Sequence, residues 1–305
     1  MKDKRRLKQI MSFSNAETRR IVSKPRLLFR PDPVLGWRLS ADHSVRVAFR
    51  SNILQHIAAD GWRHVPGSQT AQGPRVAFYG CSFTYGTGLA DEETFTALLQ
   101  RDMPDVRILN RGIGGHGSVQ NLLQLRRDIA AGAIDAAVFS VISDHRFRNI
   151  AHPQRMRQYL SAEWYKLRVE HVPVAQLDGK GQVQIVYREI WQPALRDVNF
   201  GVFLPDDHMV NLVTLAVLEL VRETARAAGI PLHFALLDSL DRDFNSAVCD
   251  RFSEALDISC PHDRQHTFQP LDNHPNMRAN SLFAERLQPL IKPLLGKGPA
   301  RRGDV

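Results

Sequence analysis

The chain has 305 residues, 43% hydrophobic and 24% charged, with a formal net charge of +8. That composition fits a globular protein with one large core or two modest ones and argues against a disordered or fibrous chain. No apolar run reaches the roughly 18 residues that span a bilayer, and three cysteines (Cys81, Cys249, Cys260) without a CxxC pair argue against a disulfide framework or a zinc site.

The positive charge sits at the start. Residues 1–30 carry ten cations against Asp3 and Glu17, so the remaining 275 are neutral overall. An arm of this kind suits contact with anionic lipid or nucleic acid; the plainer expectation is a solvated, partly helical extension, with no specific nucleic-acid binding. It lacks the apolar stretch of a secretory signal, so a cytoplasmic location is expected.

Residues 31–73 contain DPVLGWRL and ADGWRH, whose Gly-Trp pairs and short alternating runs predict a small β-rich lead-in. From residue 74 the pattern becomes regular. RVAFYG predicts a buried strand, DEETFTALLQRDM a helix with acids in its first turn, and VRILN a second strand. SVQNLLQLRRDIAA predicts a second helix and IDAAVFSVI a third strand. Residues 150–205 interrupt this order: EHVPVAQL and QVQIVYREI flank DGKG, a hairpin turn signal. The aromatics Trp164, Tyr165, Tyr187 and Trp191 in this insertion suit either a lid over a substrate or simple packing.

The alternation then resumes with a long helix closed by Gly229, the strand PLHFALLD, an irregular stretch, and a terminal helix, NMRANSLFAERLQPLIKPLL. The fold class this predicts is α/β, a doubly wound parallel sheet with helices on both faces. It occupies residues 74–295 around the insertion, with a tail at 296–305.

In such sheets ligands bind beyond the carboxyl ends of the strands, and three strand exits here are unusually polar or glycine-rich. GCSFTYGTG, residues 80–88, places Ser82 on a tight turn that Gly80, Gly86 and Gly88 permit. NRGIGGHGSVQ, 110–120, holds four glycines. SVISDHRFRN, 140–149, puts Ser143, Asp144 and His145 directly after an apolar strand. Near the C-terminus, LDNHPN sets Asp272 and His274 two apart, on one side of an extended loop. Serine needs a base to take its proton and a third group to orient that base; Ser82, His274 and Asp272 supply the set. Each piece also has a structural reading: a turn serine, a tight connection, a capping aspartate. Their coincidence at the ends of one predicted sheet favours chemistry. Walker A fails for want of a lysine after Gly86, the nucleophile elbow GxSxG fails at Thr84, and GIGGHG lacks the acidic partner of a dinucleotide site.

These residues resemble the SGNH, or GDSL-type, hydrolase family. GCSFTYG resembles its first block, GDSxTxG, with Cys81 in place of the usual Asp; NRGIGG resembles the second; LDNHPN before a helix resembles the last. The lead-in resembles that of a bacterial subgroup. The resemblance covers 74–142 and 206–295. It implies Ser82 as nucleophile, His274 as base, Asp272 as its partner, and an oxyanion hole from the amides of Ser82 and Gly115. Two departures stand out. The third block is usually GxND, but Ser143 falls at the Asn position, leaving Ser143 or His145 as the further donor. The last block is usually DxxH, but one residue separates Asp272 from His274, leaving Asp263 as a fallback; neighbouring His262 and His266 are expected on a surface loop. The implied function is a serine esterase acting on an O-acetyl or short acyl ester of a carbohydrate or lipid, with no metal or cofactor. The alternatives are an O-acyltransferase using the same site and a non-catalytic relative that binds a glycan or partner protein.

Overall fold

The computed structural model describes residues 28–160, 162–190 and 205–295. The basic arm through residue 27, Trp191 and the tail from residue 296 lie outside them.

The lead-in forms two antiparallel ribbons, β1 (Phe29–Asp32) with β2 (Gly36–Leu39) and β3 (His43–Arg46) with β4 (Leu54–Ile57). The regular region begins with β5 (Arg75–Gly80), β6 (Arg107–Gly112) and β7 (Ala136–Val141). The insertion supplies the hairpin β8 (His171–Leu177) and β9 (Val183–Glu189), and the chain returns through β10 (Leu232–Asp238) and β11 (Ala255–Cys260).

Five strands form one all-parallel sheet in the order β6-β5-β7-β10-β11. The chain leaves β5 for β6 on one side and crosses to β7 on the other. The crevice beyond the carboxyl ends of β5 and β7 is therefore where the winding reverses, the place where doubly wound sheets bind ligands. Strand alternation decides which helix each residue meets. Val76 and Phe78 pack with Phe95, Leu99, Phe283 and Leu287, from the helices Phe95–Asp102 and Met277–Leu295. Ala77 and Tyr79 face the other way, onto Leu122 and Leu125 of Ser118–Ala130, Leu218 and Val221 of Asp207–Ala227, and Phe244 of Arg242–Arg251. Each of these large apolar side chains contributes about 1.5–3 kcal/mol by leaving water. No helix of the described residues is long and apolar enough to cross a membrane.

Two expectations change, and an alternative left open is decided. The acids of DEETF do not open the helix. They form a 3-10 turn, Asp91–Glu93, and the helix starts at Phe95, capped by Thr94 Oγ1, which accepts from Ala97 N–H at 3.2 Å. Cations of the lead-in claim those acids instead: Arg50 binds Glu93 at 2.6 and 2.8 Å, and buried Arg63 binds Asp91 at 2.9 Å. The stretch after β10, expected to be irregular, forms the helix Arg242–Arg251 and the edge strand β11. That helix begins on Asp241, whose side chain accepts from Phe244 N–H at 3.0 Å. Within the insertion, Trp164 packs against Trp37, Tyr159 and Phe29, and Tyr187 donates to Val34 O at 3.2 Å. These aromatics fasten the insertion to the lead-in, which favours packing over a lid.

Candidate active site

After β5 the chain passes Cys81 and makes a one-turn helix, Ser82–Tyr85. Gly86 ends it with φ +80°, the left-handed region where a side chain is disfavoured, and its N–H and that of Thr87 both return to the Ser82 carbonyl at 3.1 Å. The turn is tethered from two directions. Asn110, at the end of β6, donates to the Thr84 carbonyl at 2.7 Å and accepts from Gly112 N–H at 2.9 Å. Gln55 of the lead-in donates to the Gly86 and Leu89 carbonyls, each at 3.0 Å.

His274 reaches this turn across 192 positions of chain. Its Nε2 lies 2.8 Å from Ser82 Oγ, and its Nδ1 lies 2.6 Å from Asp272 Oδ1. A carboxylate only accepts, so the proton sits on Nδ1 and Nε2 accepts from the serine hydroxyl. The spacing of one residue works through a turn rather than an extended strand. Asp272 Oδ1 also accepts the backbone N–H of His274 at 2.8 Å, the local aspartate turn that bonds two residues on, and this curls the imidazole back over the carboxylate. The Phe83 ring meets the imidazole edge to face at 5.6 Å. Asp272 is 1% exposed and Ser82 and His274 are 8% and 5% exposed, so the whole relay is buried, with the carboxylate deepest.

The fallback Asp263 serves another histidine. Its Oδ1 binds His266 Nδ1 at 2.8 Å and the N–H groups of Gln265 and His266. His266 is buried rather than on the surface as expected, because this carboxylate and its turn fold it inward. His262 is half-buried, and burial lowers it to about 4.

The glycine-rich loop after β6 lies beside the serine turn: Ile113 N–H donates to the Gly80 carbonyl at 3.1 Å. Gly115 sits at φ +85°, and a Cβ there would lie 3.0 Å from Cζ2 of Trp37. Among the described residues, neither Ser82 N–H nor Gly115 N–H donates to another group of the protein.

The third exit is closed. Ser143 is fully buried; its N–H and its hydroxyl both donate to Asp238 Oδ2, at 3.0 and 2.9 Å. Burial raises Asp238 to about 7, against the pull of those two hydrogen bonds. Asp144 is fully buried and pairs with Arg148 and Arg155, the former at 2.6 Å. Burial pushes its carboxyl up, but the two guanidinium charges and their hydrogen bonds outweigh burial and hold it at about 2. His145 is also fully buried, and neither ring nitrogen has a partner. Burial pushes it well below the ordinary histidine range, so it is neutral. As packed, then, neither Ser143 nor His145 presents a donor to the crevice, contrary to the expectation that one of them would.

Sequence reasoning missed Arg148, Arg155 and Asp238, which hold this exit together. Only Arg148 left a signal: it follows Asp144 by four residues, the spacing of facing side chains on a helix. Among the described residues, no group of three or more His, Cys, Asp or Glu side chains is arranged to hold a metal ion.

No protein-family model matches the sequence, and no curated protein matches it. Several solved structures are similar in part. TesA is 16% identical with a TM-score of 0.41, over 72% of this chain and 99% of that one. The psychrotrophic esterase EstA from Pseudoalteromonas sp. is 13% identical with a TM-score of 0.42, over 73% and 99%. Axe2, an acetyl xylan esterase from Geobacillus stearothermophilus, is 12% identical with a TM-score of 0.39, over 76% and 98%.

Proposed function

We propose that the chain is a serine hydrolase that cleaves an ester through an acyl-enzyme on Ser82. The observation that carries this reading is the continuous chain of hydrogen bonds Ser82 Oγ, His274, Asp272, at 2.8 and 2.6 Å, ending at the switch point of the sheet. His274 Nε2 removes the hydroxyl proton as Oγ attacks the ester carbonyl carbon, and the imidazolium formed is held by Asp272. The carbonyl oxygen becomes an oxyanion, which the N–H groups of Ser82 and Gly115 receive. As the tetrahedral intermediate collapses, the C–O bond to the alkoxide breaks and His274 returns its proton to the leaving alcohol. Water repeats the sequence and releases the acid. General-base catalysis of this kind contributes about 10²–10⁴-fold, and a single oxyanion donor about 10²–10³-fold.

The small exposure of Ser82 and His274 suits an acetyl or other short acyl group, on a carbohydrate or lipid alcohol. The same residues serve transfer to an acceptor alcohol when that alcohol replaces water. The test is labelling by a fluorophosphonate probe, which phosphonylates an activated serine with loss of fluoride. Wild type labels; Ser82→Ala and His274→Ala, shown folded by circular dichroism, do not. Labelling that survives Ser82→Ala, or no labelling of wild type, overturns the reading. Product analysis of an acetyl ester, with and without an added sugar acceptor, then separates hydrolysis from transfer.

A further inference from the structure

Trp37 belongs to β2 of the lead-in, outside the parallel-sheet domain, yet it makes three contacts with the loop that carries Gly115. Its indole Nε1–H donates to the Gly114 carbonyl at 3.0 Å. Its own carbonyl accepts from His116 Nε2 at 3.0 Å. Its ring lies where a Cβ on Gly115 would have to go, 3.0 Å from Cζ2. The side chain is fully buried, edge to face with His116 at 5.1 Å and with Trp164 at 4.8 Å, so it cannot turn away from the loop.

The Gly114 carbonyl and the Gly115 N–H belong to one planar peptide unit. Across a trans peptide the two point in opposite directions, and Gln269–Pro270 is the one cis bond among the described residues. A carbonyl drawn toward the lead-in therefore turns the Gly115 N–H away from it. The loop itself is pinned beside the serine turn, through Ile113 N–H to the Gly80 carbonyl. A peptide flanked by glycines on both sides flips easily, and an oxyanion donor is useful only when it is aimed before the charge forms.

We propose that Trp37 is a positioning residue for the oxyanion site: its indole N–H, by holding the Gly114 carbonyl, aims the Gly115 amide at the oxygen that becomes negative on the Ser82 adduct. The His116 contact braces the same loop from its other end. A carbonyl cannot donate, so His116 carries its proton on Nε2. Burial holds that ring neutral, down to about 3, so the brace persists throughout the neutral range. The lead-in is thus part of the machinery, because the parallel-sheet domain without it leaves the glycine peptide unaimed. This inference rests on the hydrolytic reading and adds to it a residue that touches neither substrate nor Ser82.

The test compares wild type, Ser82→Ala, Trp37→Phe and a chain with 3-benzothienylalanine at position 37. The last keeps the shape of the indole and replaces only its N–H by sulfur, so it serves should Trp37→Phe fail to fold. With p-nitrophenyl acetate as probe, kcat is expected to fall about 10–100-fold in either variant while KM stays within about threefold, because the lost interaction acts on the oxyanion and not on the ground-state ester. The rate of fluorophosphonate labelling falls in step. Ser82-dependent turnover in wild type, with kcat in a folded position-37 variant within twofold of it, overturns the inference and leaves the hydrolytic reading standing. An equal loss through KM alone also overturns it, since that reports a disturbed binding surface. No Ser82-dependent turnover or labelling in wild type overturns both.

Discussion

Two neighbouring strand ends carry the same three residue types. Beyond β5 lies Ser82, joined by His274 and Asp272 from far along the chain; beyond β7 lie Ser143, Asp144 and His145 in direct succession. The distributed set is connected, serine to imidazole to carboxylate. The consecutive set is dismembered: its serine donates to Asp238, its aspartate is shared by two arginines, and neither ring nitrogen of its histidine has a hydrogen-bond partner. Residue type therefore says little about chemistry until the partner of each proton is known. Adjacency in sequence is poor geometry for a relay, because successive side chains on a helical turn point in different directions.

The largest way to break this comparison is to cut the connected set. Ser82→Ala removes the nucleophile and is expected to abolish turnover and labelling, while His274→Ala lowers kcat by about 10²–10⁴-fold with stability little changed. Steady-state kinetics with a thermal melt checks both. A comparable loss of kcat from Ser143→Ala, with the fold intact, would mean that the two ends had been assigned the wrong way round.

The dismembered set should answer in stability instead. Asp144→Asn leaves two buried guanidinium groups facing a neutral amide, and an expected loss of about 3–5 kcal/mol follows for a broken buried ion pair; urea unfolding measures it. The carboxyl at about 2 lies below its ordinary 3.8, so its contribution is present above about pH 4 and is lost as pH falls from there toward 2. Asp238 behaves with opposite sign. Its pKa of about 7 lies above its unfolded value, so the native state binds more protons between about pH 4 and 7 and stability drains away as pH rises across that window. Asp238→Asn should flatten that slope; a slope unchanged from wild type would sink the assignment.

Smaller effects sharpen the picture. Ser143→Ala removes one donor to Asp238 and should cost about 1–2 kcal/mol, with kcat within about threefold of wild type. His145→Leu replaces an imidazole that has no partner by an apolar side chain, and is expected to be neutral or to stabilise by up to about 1 kcal/mol. A tenfold fall in kcat in that variant, with the fold intact, would show that His145 leaves its sealed position during the reaction.

Much of this was legible in residues 74–142, where apolar runs of strand length alternate with amphipathic stretches and glycines mark the first two strand exits. The edge strand β11 was not, because only Ile258 and Cys260 of its six residues are buried and its hydrophobic signal is correspondingly weak. The helix before it was hidden for the same reason: RDFNSAVCDR buries only Phe244, Asn245 and Val248. The acids of DEETF misled because helix-dipole preference is worth a few tenths of a kcal/mol to about 1 kcal/mol on the surface, and a part-buried two-pronged arginine pair outbids it.

From its order of residues alone this chain declares a parallel α/β sheet, a serine on a tight turn after the first strand of that sheet, and a histidine with an aspartate two positions ahead of it. Those features are local, set by side-chain periodicity and by the short reach of a turn. Only the folded molecule decides that His274 meets Ser82, that Ser143 is spent on Asp238, and that an indole from the lead-in grips the glycine loop. Each of these is a contact between segments dozens of residues apart, selected by burial and by the cost of leaving a buried donor or acceptor without a partner.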